Sequence, residues 1–174
     1  MKKMLVSLIC GASIMSCSAC RSTIDTTTVP ELDLERFMGK WYEIARFDHS
    51  FERGLVGCTA DYTIQPDGTV KVVNSGYKKD FNGKFKQSVG KARRPNDAVP
   101  GQLEVSFFLW FYSDYNVLYL SPDYDYVLIG SSNDKYLWIL NRTPQMEPNA
   151  QEKVLTIAKE RGYDTDKLIW VSQK

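Results

Sequence analysis

Between Gly39 and Arg142 the chain repeats one pattern, a run of seven to nine β-prone residues followed by a short group of turn residues. The runs fall near residues 40–47, 57–65, 69–77, 85–93, 102–108, 115–121, 125–131 and 135–142. Between them sit Pro66-Asp67-Gly68, Ser121-Pro122-Asp123 and Ser132-Asn133-Asp134, each with the chemistry of a tight turn. Eight consecutive strands with short links predict an up-and-down antiparallel meander. Closing that sheet on itself removes its edges and encloses room for one small ligand.

One segment departs from the pattern. Pro148 to Arg161 spaces Val154, Leu155, Ile157 and Ala158 as a helix does and stops at Gly162. The expected fold is therefore all-β: an eight-stranded up-and-down antiparallel β-barrel, or calyx, with one C-terminal α-helix packed outside. Lys167 to Val171 can add a last short strand. In the first run, Gly39-Lys40-Trp41-Tyr42-Glu43-Ile44-Ala45-Arg46, period two puts Trp41, Glu43, Ala45 and Phe47 on one face. Tyr42, Ile44 and Arg46 take the other, facing the helix. The inward set contains Glu43, and a buried carboxylate needs a partner.

The N-terminus reads as a processing segment. Lys2 and Lys3 precede an apolar run from Met4 to Met15, too short for the roughly 18 to 20 residues of a bilayer span. Ile14-Met15-Ser16-Cys17 resembles a bacterial lipobox, which makes 1–16 the signal peptide, Cys17 the lipidated N-terminus and 17–30 a Thr- and Ser-rich tether ahead of a domain at 31–174. Cys20 is the alternative lipidation site, and cleavage after Ala19 of an ordinary secretory signal is the plainer reading. Ser18, with no aspartate after the cysteine, resembles the pattern sent to the outer membrane, where a lipid anchor on the periplasmic face is expected.

Of 22 basic and 21 acidic residues, loss of Lys2 and Lys3 leaves 20 against 21. Near-balance predicts no nucleic-acid partner and no purely electrostatic hold on a membrane. No metal site and no cofactor are expected, since Cys17 and Cys20 sit at the processing site and His49 is the only histidine. Cys58 is read as a buried free thiol, with a bond to Cys20 as the alternative.

Three ordered segments carry a family resemblance: Gly39-x-Trp41-Tyr42-Glu43-Ile44-Ala45-Arg46, Tyr115-Asn116-Val117, and Leu137-Trp138-Ile139-Leu140-Asn141-Arg142-Thr143-Pro144. They resemble the signature regions of lipocalins, and Asp48-His49-Ser50-Phe51-Glu52-Arg53-Gly54 is similar to the bacterial outer-membrane branch, itself similar to apolipoprotein D and plant temperature-induced lipocalins. The resemblance implies that Arg142 stacks over Trp41 to close the barrel base. It also implies an open end formed by residues 48–56, 78–84, 109–114 and 131–134, with the first link as a lid.

Alternation then assigns the lining. Cys58, Ala60 and Tyr62 face inward with Val72, Asn74, Val105 and Phe107, and Tyr136 and Trp138 share the parity of Arg142. Tyr115 and Val117 complete the expected wall with Glu43 and Ala45. Trp110, in Leu109-Trp110-Phe111-Tyr112, stands at the mouth, either as an exposed binding surface or folded back as a cap. Glu43 is expected near the floor, sharing its proton with Tyr62 or another tyrosine, as a structural hydrogen bond or as a contact to a ligand head group.

The resemblance implies a membrane-tethered carrier of fatty acids or lysophospholipids, linked to envelope maintenance or stress, and makes a homodimer through the mouth accessible. No enzyme is expected. The alternative is a lipid-modifying isomerase using Cys58, although no histidine is phased toward that thiol. A third reading is a structural barrel filled by its own side chains.

Overall fold

Alternating apolar and polar residues from Gly39 onward commit the backbone to strands whose inner faces meet, and the ends of the resulting sheet pair with each other. A computed structural model describes residues 24–108 and 110–174 of the chain. The elements are α1 (Leu34–Phe37), β1 (Gly39–Phe47), β2 (Leu55–Ile64), β3 (Val70–Lys78), β4 (Phe85–Arg93), β5 (Gln102–Ser106), β6 (Ser113–Leu120), β7 (Tyr126–Gly130), β8 (Leu137–Asn141), α2 (Pro148–Glu160) and β9 (Leu168–Trp170). Each of β1 to β8 pairs with its sequence neighbour, and β8 pairs back on β1, so the sheet closes into an eight-stranded antiparallel barrel.

β1 is shared along its length. Its first half, from Gly39 to Tyr42, pairs with β2, while Ala45–Phe47 pair with β9 outside the barrel. The chain after β9 continues along that seam: Gly57 N donates to Ser172 O at 2.8 Å, and the Gln173 amide donates to Glu43 O and Cys58 O.

Two apolar clusters result. The inner one gathers Trp41, Tyr62, Val72, Leu103, Val117 and Ile129 inside the barrel, and the outer one packs Val154 and Ala158 of α2 on Ile44, Leu128 and Ile139. The helix begins at Pro148, whose missing N–H costs nothing in a first turn, and ends before Gly162 at φ +86°.

Three expectations change. Register shifts between Glu43 and Ala45 along β8, so β1 carries a bulge that inverts its alternation. Ala45, expected in the lining, and Phe47 therefore lie in the outer cluster, and Arg46, expected to face out, turns inward and is 2% exposed. The second change is α1, a single turn capped by the Asp33 carboxylate accepting from Arg36 N at 3.1 Å. A four-residue helix leaves no periodic trace in the sequence. The third concerns residues 24–30, expected in the tether. Asp25 N donates to Arg161 O at 2.8 Å, Arg161 donates to the carbonyls of Asp25, Thr27 and Leu118, and Val29 N donates to Val117 O. Ile24 packs on the outer cluster and Val29 on the inner one, so this segment belongs to the folded body. The expected signal peptide and Cys17 and Cys20 lie outside the described residues.

Candidate functional site

The base of the barrel is closed as expected. Arg142 stands 3.8 Å over the Trp41 ring, the Trp41 indole donates to Phe37 O at 2.9 Å, and Arg142 donates to the carbonyls of Arg36, Met38, Lys40 and Tyr124. One guanidinium thus ties α1, β1 and the β6–β7 turn into a floor.

Above that floor lies a cavity of about 370 Å³. Tyr62, Val72 and Val105, assigned inward by alternation, line it together with Tyr115, Val70, Ala92 and Leu103 from the walls, Leu34 and Phe37 from α1 and Met38 just after it. Its rim includes Thr69 of the β2–β3 turn and Arg93, Arg94 and Asp97 at the β4–β5 link, so the space extends to the closed end on the side away from Arg142. Its size is at the low end of the roughly 300–1,000 Å³ of small-molecule sites. The walls are apolar apart from few groups. Tyr62 and Tyr115 share a hydroxyl hydrogen bond of 2.9 Å, and burial holds both phenols above their ordinary range, so they remain protonated. Asn74, expected in the lining, pairs with Ala60 and buries an Oδ1 with no hydrogen-bond partner, but it is not part of the cavity wall.

The rest of the expected lining divides. Ala60 and Val117 face the same interior and pack in its core. Glu43 and Cys58 also face inward, but they belong to a polar plug rather than to the cavity wall. Arg46 contacts the Glu43 carboxylate, lies 3.8 Å from Cys58 Sγ, and donates to the carbonyls of Glu52 (2.7 Å), in the link that follows β1, and Leu55 (3.3 Å), at the start of β2. In that link His49 Nε2 is 3.0 Å from Glu52 Oε2, and the Trp138 indole donates to the same carboxylate at 3.2 Å. His49 stacks on Phe51 at 3.8 Å, and Tyr136 stacks on Trp138 at 5.7 Å. Residues 48–54 are therefore a lid held down by buried polar side chains. Glu43 lies beneath this lid, not at the floor, and its partner is Arg46 rather than a tyrosine.

At the mouth the Phe107 ring lies over Gly90, where an added Cβ would come within 2.7 Å of it. Trp110 is 78% exposed, as the surface reading of this link requires. Alternation could not reveal Arg46, because the bulge hides its phase. The lid pair His49 and Glu52 was visible only as a three-residue spacing in a loop.

Burial and the nearby Glu52 push the Glu43 carboxyl up to about 8, further than Arg46 pulls it down. A pKa raised on folding gives stability that is complete below the ordinary value of 4.5 and is lost as pH rises toward 8. Glu43→Gln keeps an acceptor for Arg46 and is expected to flatten this loss, read as urea midpoints at about pH 5 and about pH 8.5. An unchanged pH profile would place the titration elsewhere. Burial and Glu43 likewise push the Cys58 thiol up to about 12, so it stays protonated at neutral pH and is a poor nucleophile.

A lipocalin-like domain model matches residues 32–173. The chain is 40% identical over 168 residues to the outer membrane lipoprotein Blc of Vibrio cholerae, covering 96% of each, and 42% identical over 160 residues to that of Escherichia coli, covering 92% of this chain and 90% of that one. Among solved structures, insecticyanin from the tobacco hornworm Manduca sexta superposes with a TM-score of 0.71 at 23% identity, over 86% of this chain and 85% of that one.

Proposed function

The chain belongs to the lipocalin-like family, and from that premise we propose that it is an outer-membrane lipoprotein that binds fatty acids or lysophospholipids in its barrel and holds or carries them during envelope maintenance or stress. The observation that carries this reading is the cavity of about 370 Å³, apolar along its walls. Each buried methylene contributes roughly 0.8 kcal/mol, so about ten of them offset the ordering cost of a chain and reach micromolar to submicromolar affinity without an ionic contact. The Tyr62–Tyr115 hydroxyls suit one polar group at the end of such a chain. A space of this size also weighs against a barrel filled by its own side chains.

A binding role is favoured over turnover by the chemistry of Cys58. Its thiol stays protonated at neutral pH, and the group that lies against its sulfur is the Arg46 guanidinium at 3.8 Å, a cation that cannot take its proton. The test is native mass spectrometry of the protein extracted from its host membrane, followed by titration of stripped protein with a lysophospholipid. Retained lipid and saturable one-to-one binding are expected. An empty barrel that ignores added lysolipid and free fatty acid would overturn the reading.

A further inference from the structure

The large aromatic side chains exposed on this protein gather at one end. Phe51, Phe85, Phe107, Phe108, Trp110 and Phe111 all stand in or beside the links at the open end, between 41% and 69% exposed apart from Trp110 at 78%, while Val89 in β4 and Ile169 and Trp170 in β9 are exposed on the barrel's side. At the base, Ile64 is the large apolar residue exposed among the described residues. Stacking of Phe108 on Phe111, with centroids 6.4 Å apart, holds the β5–β6 link as a projecting apolar tip.

Beside it, the β3–β4 hairpin interleaves rings and cations in Tyr77-Lys78-Lys79-Asp80-Phe81-Asn82-Gly83-Lys84-Phe85-Lys86. Tyr77 packs on Phe81 and Phe85, and Lys78, Lys79, Lys84 and Lys86 are exposed around them against the single Asp80. Lys174 adds its ammonium 4.9 Å from the Phe81 ring. The other open-end links are close to balanced, with Asp48 paired to Arg53 at 2.7 Å and Asp134 next to Lys135. Rings flanked by lysines form a surface that sits at a membrane interface, with the rings among the acyl chains and the ammonium groups at anionic headgroups.

The covalent anchor agrees with this placement. Arg161 holds Asp25 and Leu118 on the flank of β6, a strand that begins at Ser113 directly after the aromatic tip. Cys20 is five residues before Asp25 and Cys17 eight, so a lipidated cysteine can lie at most about 18 or about 29 Å away. Ser113 is about 17 Å along β6 from Leu118. A fully extended linker from Asp25 is thus long enough to span the distance from Leu118 to the open end.

We propose that the open end docks face-on to an anionic phospholipid surface, through the lysine-rich β3–β4 hairpin and the aromatic β5–β6 tip, so that the lid over the barrel mouth faces the bilayer. This inference rests on the lipid anchor of the proposed function but not on occupancy of the cavity.

The test uses the mature lipoprotein reconstituted at low density in phosphatidylglycerol–phosphatidylethanolamine vesicles carrying brominated acyl chains. Trp110 emission, isolated by difference against Trp110→Phe, is expected to be quenched by the bromine and shielded from aqueous iodide. Lys79→Gln with Lys84→Gln is expected to shift the ratio of inserted to water-exposed Trp110 by about 30-fold, as are vesicles of phosphatidylcholine alone by a comparable factor. Lysophospholipid affinity measured in solution should be unchanged in the lysine variant, which separates this docking from cavity binding. Iodide access without bromine quenching would overturn the proposal. So would shielding of Trp110 that grows with protein density in vesicles lacking anionic lipid, because the surface would then be covered by a second copy.

Discussion

Arg142→Ala is expected to lower stability by about 3 to 5 kcal/mol, and the melting temperature by about 8 to 15 °C. Its guanidinium donates to four carbonyls and covers the Trp41 ring, so truncation removes charge-assisted hydrogen bonds and a cation–π contact worth about 0.5 to 2 kcal/mol. The estimate is well below the sum of the parts because two of the four bonds are solvent-exposed. Arg142→Lys keeps the charge but loses the planar fork, and should recover less than half of the deficit. Urea unfolding measures both. A loss under about 1 kcal/mol for the alanine variant would show that α1 and the floor do not depend on this clasp.

Ala92→Trp is expected to reduce lysophospholipid and fatty-acid affinity by at least about 100-fold. Ala92 is buried in the cavity wall opposite Val70, and an indole there would occupy the space on which the apolar part of a ligand depends. Displacing about five methylenes removes roughly 4 kcal/mol, which exceeds the stated factor. The barrel should survive, because the new side chain grows into empty volume instead of a packed core. Fluorescence titration gives the affinity, and near-ultraviolet circular dichroism confirms the fold. A folded variant that binds within about threefold of the parent would place the ligand outside this cavity.

Much of the architecture was legible because a β-strand declares itself at period two and a turn by its residues. Gln65 N donates to Thr69 O across Pro66-Asp67-Gly68, with Gly68 at φ +79°, which is what that tripeptide predicts. The helix over 148–160 and the short strand at 168–170 follow from spacing in the same way. Where the reading failed, a one-residue irregularity was responsible. The bulge after Glu43 inverts everything beyond it, sending Ala45 out and Arg46 in, and no side-chain pattern announces a bulge in a strand that is apolar on both faces. The cavity was legible residue by residue from β2, β3, β5 and β6, but not its floor, because α1 is one turn long. The plug under the lid was least legible, since His49 and Glu52 acquire their meaning only when the link folds back onto Arg46 and Trp138.

The join between β4 and β5 has a consequence for the range of guests this vessel can take. Only Lys91–Arg93 pair with Glu104–Ser106, whereas β3 and β4 are laced from Val70 to Tyr77, and α2 braces the opposite wall by packing on Leu128 and Ile139. A few rungs cost the least to loosen. Widening the barrel for a bulkier occupant would therefore break the fewest backbone bonds at this seam, away from the braced side and the clasped bottom.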